Sequence, residues 1–166
     1  MTPATLVRKI VGVWPWSEVV SFIVSMLAGL RQVIANRTDA KLAQQLGVDP
    51  VGRTARDLTA RDEASLTTIR DRYSDDDIAE RVERFVEDTL LQYEQDEMLD
   101  AAAEFGATSW QWETVGDNCD ECDEKDGQEF SITENFRTHP GCNCKPVPVF
   151  AGGYSDLAEE EARADD

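Results

Sequence analysis

The sequence predicts a mainly α-helical protein with a small C-terminal β module, an α+β arrangement with one long central helix. Three observations carry that prediction. Apolar residues between positions 16 and 35 recur at spacings of three and four. A capping serine at Ser74 and a terminating Gly106 bracket a second periodic stretch. Beyond Gly106 the pattern turns to alternation, in a segment that also holds every cysteine and the only histidine of the chain. At 166 residues, the chain can build one modest core, or one small domain with an accessory module; two large domains are excluded.

Residues 1–73 read as an N-terminal helical region. Arg8 and Lys9 give a basic start, but no small-residue cleavage site follows, so a signal peptide is not expected. Pro15 places a helix start near Trp16 or Ser17, and Val19, Phe22, Ile23, Met26, Leu27, Leu30, Val33 and Ile34 then form one broad apolar face. A membrane span needs about 20 apolar residues, and the stretch from Pro15 to Leu30 is too short, so no span is expected. The face could serve a core or a subunit interface. The bulk of Trp14, Trp16 and Phe22 near one end favours a docking helix over 16–35, with Ile23, Met26 and Leu30 as further contact residues.

Shorter elements follow. Thr38 is expected to cap a separate helix ending at Gln45 or Leu46, stopped by Gly47 and Pro50. Thr54 and Asp57 mark another start, and Leu58, Leu66, Ile69 and Tyr73 supply its apolar side. The long helix over 74–106 begins at Ser74, with Asp75, Asp76 and Asp77 favouring its positive end. Ile78, Val82, Phe85, Val86, Leu90, Tyr93, Ala102 and Phe105 trace its stripe, and roughly thirty residues at 1.5 Å each give about 45 Å. The charges opposite, including Glu94, Asp96, Glu97 and Asp100, read as a solvated face open to a basic partner.

The β module spans 107–150. Trp110 to Val115 alternates like a strand, Lys145 to Phe150 ends extended, and Gln128 to Thr138 reads as loop. Pairing of the two extended segments would join two donor groups: Cys119-x-x-Cys122, and His139 with Cys142 and Cys144. All five soft donors lie within 26 residues, which points to one tetrahedral zinc ion that staples the module. A two-residue gap lets a knuckle aim Cys119 and Cys122 the same way, with Gly127 easing the turn. Cys119, Cys122 and His139 are the favoured ligands, with Cys142 or Cys144 fourth. Two disulfides, or four plain thiols, are the alternatives. A redox pair is disfavoured, because Asp117, Asp120, Glu121, Asp123, Glu124 and Asp126 would raise a thiol pKa. A closed structural site leaves no open position for water, and no other reaction centre is visible, so no enzyme activity is expected.

The order Trp112-Glu-Thr114, Asp117, Cys119-x-x-Cys122, Asp126-Gly127, His139-Pro140-x-Cys142-x-Cys144 and Pro146-Val-Pro-Val149 resembles the C-terminal motif of the Mu F-like phage head morphogenesis proteins. Residue types and spacings both agree, and the resemblance covers roughly residues 75–149. The chain departs from the pattern at Asn143, where the family carries a basic residue, and along the long helix, where only Thr89 survives of an Arg-Thr-Glu run. The resemblance implies a minor capsid component, present in multiple copies in the head of a tailed bacteriophage, near the portal vertex or capsid interior. It implies portal or major capsid protein as partner and synthesis in the bacterial cytoplasm. The readings set against it are a thiol-disulfide oxidoreductase and a zinc-dependent interaction adaptor.

Charge limits the partners further. Residues 1–73 carry 10 basic and 7 acidic side chains while 74–166 carry 6 and 27, so the net −18 divides into +3 and −21. Such an acidic half cannot bind phosphate backbones by counterion release, and sequence-specific nucleic-acid binding is not expected. The tail over 151–166, rich in Ala, Glu and Asp, reads as a disordered acidic end.

Overall fold

The N-terminal helical region opens with a short helix that lies ahead of the start predicted at Pro15. α1 (Pro3–Ile10) starts at Thr2, whose hydroxyl accepts from the Thr5 N–H at 3.1 Å, and Pro3 stands where its missing N–H is of no consequence. Val7 and Ile10 are buried. The computed structural model describes residues 2–116, 120–137 and 144–151, so Cys119, His139, Cys142 and the tail beyond Ala151 lie outside the described residues.

α2 (Trp16–Leu46) begins where Pro15 predicts, but runs unbroken through Thr38. The expectation of two helices is corrected. Thr38 is buried inside the helix, and Ala35, Asn36 and Arg37 before it contain no breaker, so its capping chemistry has no free end to act on. The helix does stop as predicted. Gly47, at φ +66°, donates to Gln44 O and Val48 donates to Ala43 O at 2.9 Å, the paired bonds of a left-handed helix terminus. α3 (Thr59–Arg72) and α4 (Asp75–Glu104) follow, then β1 (Ala107–Glu113), α5 (Asp120–Lys125), β2 (Glu129–Ser131) and β3 (Lys145–Phe150). The sheet is antiparallel in the order β2-β1-β3, and the described chain is mainly helical, as the α+β prediction requires.

The chain divides into two compact units, each drawn from separated stretches: Met1–Ala35 with Thr54–Tyr93, and Asn36–Arg53 with Glu94–Asp166. In the first, Val7, Val19, Ile23, Leu27, Leu66, Ile78, Val82 and Val86 form the core. Ile23 is wholly buried there, which corrects its assignment to a partner surface. Trp16, Phe22 and Met26 pack against that core half-buried, and Leu30 is half-buried too. Trp14 is 43 % exposed and stands edge-on to Phe22, with ring centroids 5.7 Å apart. Periodicity alone could not separate a core face from an interface. Depth now separates Ile23 from Trp14.

α2 is also long and apolar enough to cross a membrane, by length and composition only. The expectation that the apolar segment is too short is therefore corrected. Val19, Ile23 and Leu27 belong to the core, and its Arg31 is buried against Asp62 of α3.

In the second unit, Leu42 packs with Ala101, Ala102 and Ala107, and a further cluster gathers Leu99, Trp110, Trp112, Cys122, Phe136 and Cys144. Glu97 is buried, which corrects its placement on a solvated face: its carboxylate accepts from Arg53 Nε at 2.5 Å. Burial alone would lower the pKa of the Arg53 guanidinium, but bonding and attraction from Glu97, with Glu104 added, hold it raised. Asp39, also buried, accepts from the Val51 and Gly52 backbone N–H groups and so ties the segment that carries Arg53.

Candidate metal centre

β1 and β3 provide the frame. Their register pairs Trp110 with Pro148, Trp112 with Pro146 and Glu113 with Lys145, and Lys145 Nζ meets Glu113 at 2.9 Å. Strand alternation turns both tryptophans inward, where Phe130 stacks on Trp110 at 4.4 Å and Phe136 lies 4.6 Å from Trp112. The pairing expected of the two extended segments is thus present. β2 is an addition, in a stretch read as loop. It is only three residues long, too short for alternation to register, and Phe130 is its one apolar contribution.

Between β1 and β2 the chain makes a closed excursion. Trp112 N–H donates to Gln128 O at 2.9 Å, and Gly127 N–H donates to Trp112 O at 2.7 Å. Gly127 sits at φ +73°, a conformation that costs other residues about 1 kcal/mol. Asp126 accepts from both the backbone N–H and the hydroxyl of Thr114, each at 2.9 Å. These bonds, the backbone one first, hold the Asp126 carboxyl below the usual carboxylate range. The motif residues Trp112, Thr114, Asp126 and Gly127 therefore act together to clasp the base of the loop that contains Cys119 and Cys122.

Within that loop residues 120–125 form α5, while Cys119 of the predicted knuckle lies outside the described residues. Asp120, Glu121 and Asp123 in its first turn suit the positive helix end, and Lys125 pairs with Glu121 one turn back at 2.8 Å. The helix turns Cys122 inward to 2 % exposure, and Cys144, immediately before β3, is 1 % exposed in the same cluster. The Gln95 side-chain amide donates to Cys144 O at 3.1 Å and ties that segment to α4. Two of the five predicted ligands are thus brought into one core by separate elements. Cys119, His139 and Cys142 lie outside the described residues, and among the described residues no three His, Cys, Asp or Glu side chains are grouped to hold a metal ion. The two sulfurs are two of the five donors that the sequence singles out. Burial at this depth is unsuited to thiol exchange, which needs an accessible low-pKa thiolate.

Loss of one clasp bond gives a direct check. Thr114→Val is expected to raise the Asp126 pKa toward its ordinary value and to speed amide exchange over residues 120–127, both readable by NMR. The pH dependence follows from the direction of the shift. A carboxylate whose folded pKa is depressed stabilises the turn above its unfolded value of 3.8, and that contribution disappears as pH falls through the lower folded value. An Asp126 titration identical in the variant and the parent would remove the hydroxyl bond from the clasp and leave the backbone one.

Compared with protein-family models, curated proteins and solved structures, the chain finds no match in any of the three.

Proposed function

We propose that this chain is a structural minor capsid protein of a tailed bacteriophage, a head morphogenesis component at the capsid interior or portal vertex, in which a zinc ion staples the module over 107–150. Cys119, Cys122 and His139, with Cys142 or Cys144, would hold the ion, and its role would be to fix the fold and not to catalyse a reaction. One observation carries the reading. Six residues of the family-like motif that fall within the described chain, Trp112, Thr114, Cys122, Asp126, Gly127 and Cys144, converge on one small module as clasp and buried sulfurs.

The remaining features agree with this reading. The strong negative charge opposes contact with packaged DNA and favours protein partners, for which portal or major capsid protein is the proposal. Trp14, exposed beside Phe22, is the proposed anchor, with Trp16 next to it. α2 serves as a core helix in this scheme and not as a membrane span, supported by its buried inner face and its buried, paired Arg31. Particles from a host producing the phage, separated on a density gradient and analysed by mass spectrometry, are expected to contain the protein in their DNA-filled heads. Recovery solely from the particle-free supernatant overturns the assignment.

A further inference from the structure

We propose that two copies of this chain pair through the outward face of α2, with the two helices antiparallel about a two-fold axis. The inference goes beyond the capsid reading and does not depend on a zinc ion. Between Val19 and Asn36 the only ionisable residue is Arg31, which is buried against Asp62, so about five turns of α2 present no charge to solvent. Elsewhere a chain of net charge −18 repels its own copy. A partner drawn by that charge would be basic and would seat on the carboxylates. The uncharged face of α2 instead suits a partner that carries the same excess charge, and a second copy is that partner.

The order of residues along the face fits such a pairing. Glu18, Phe22, Met26, Gly29, Val33 and Arg37 follow one another at spacings of three and four and so share one side of this single helix. Val33 is 61 % exposed, Phe22 and Met26 are half-buried, and Glu18, Gly29 and Arg37 are exposed. The spacing reads the same from either end. An antiparallel copy centred between Leu27 and Ala28 therefore sets Glu18 beside the partner's Arg37, Phe22 beside the partner's Val33 and Met26 beside the partner's Gly29. Two-fold symmetry repeats each pairing, which places opposite charges at both ends, apolar contacts inside them and a large side chain against a glycine near the middle. Neither the Glu18 nor the Arg37 side chain pairs with another group among the described residues.

Gly29 bears most directly on the occupant. It has no positive φ, and a Cβ added there would meet nothing within 4 Å, so nothing in the described chain calls for glycine at this position. Glycine weakens a helix interior relative to alanine. Close approach of an outside side chain gives it a reason, and the partner's Met26 supplies one. A single helix pair is small for an interface, so the dimer is weak and reversible.

Sedimentation velocity of the full chain is expected to show a monomer that pairs reversibly as concentration rises. Gly29→Leu fills the space near the middle and should abolish pairing, while the folded monomer resists urea at least as well as the parent, because the site is open and leucine suits a helix better. Glu18→Arg sets like charges together at both ends and should weaken pairing about tenfold. Adding Arg37→Glu to it restores the parental association constant, a rescue that a structural role of either residue within its own chain would not give. Parent protein that stays monomeric up to millimolar concentration overturns the proposal, as does a dimer indifferent to both Gly29→Leu and the charge exchange. A monomer that instead floats with phosphatidylcholine vesicles gives the face to lipid and overturns it as well.

Discussion

Cys122→Ser is expected to lower the zinc content of the purified protein and to unfold the module over 107–150, and a strong chelator is expected to do the same to the parent chain. The size of the effect follows from how little else holds the module. Its central cluster has six buried residues, and two of them are cysteines. Three short strands and one six-residue helix bury little area of their own and lean on Leu99, Ala101 and Ala102 of α4 for the rest of their core. Structural zinc supplies apparent free energies of about 10 to 16 kcal/mol in small modules near neutral pH, far beyond what the Trp110–Phe130 stack or the Lys145–Glu113 ion pair could replace. Hydrogen exchange would localise the loss: amides of β1 and β3 lose protection, while those near Ile23 and Val82 in the first unit keep theirs. Acidification is expected to reproduce the loss, because ligand cysteines must stay deprotonated to hold the ion. Equal metal content in parent and variant would remove Cys122 from the ligand set.

Which parts of this architecture could be read in the sequence depends on whether a signal was local. Pro15, Gly47, Ser74 and Gly106 mark helix ends through backbone chemistry that needs no tertiary context, and α2 and α4 start or stop beside them. The strand at Lys145–Phe150 and the inward tryptophans of β1 are equally legible from alternation. Thr38 misleads because a capping residue is informative only where a helix has reason to begin, and nothing before it ends α2. α1 carries a legible signal in Thr2-Pro3, masked because a basic, apolar beginning also has the character of a leader. Glu97 and Ile23 show the other limit. Whether a charge meets solvent or a buried arginine, and whether an apolar face meets a core or a partner, depends on residues distant in sequence. At the candidate site, the cysteine spacing draws attention to Cys122 and Cys144 among five donors, but does not reveal the helix that turns Cys122 inward or the Thr114–Asp126 clasp.

Asp62→Ala is the single substitution expected to damage the first unit most, destabilising the protein by about 3 to 5 kcal/mol in urea unfolding. Arg31 of α2 and Asp62 of α3 form a bidentate pair, Nη1 to Oδ2 at 2.5 Å and Nη2 to Oδ1 at 2.9 Å, with side chains only 2 % and 3 % exposed. The Arg31 guanidinium also lies over the Tyr93 ring, 5.5 Å from its centroid. Removal of the carboxylate leaves a guanidinium, already lacking a partner at Nε among the described residues, stranded in an apolar interior. The loss reflects the orphan and not the pair. Arg31→Met combined with Asp62→Leu should therefore recover most of the loss or exceed the parent, since both desolvation penalties vanish and apolar volume replaces them. The comparison separates two roles. If the double variant is as stable and as sharply folded as the parent, the pair is dispensable to the fold. If it is stable but its amide spectrum broadens, the pair fixes α3 against α2 in one register, a specificity that apolar contacts alone leave degenerate. A loss below about 1 kcal/mol for Asp62→Ala alone would mean that water reaches the pair, and would contradict the burial on which both roles depend.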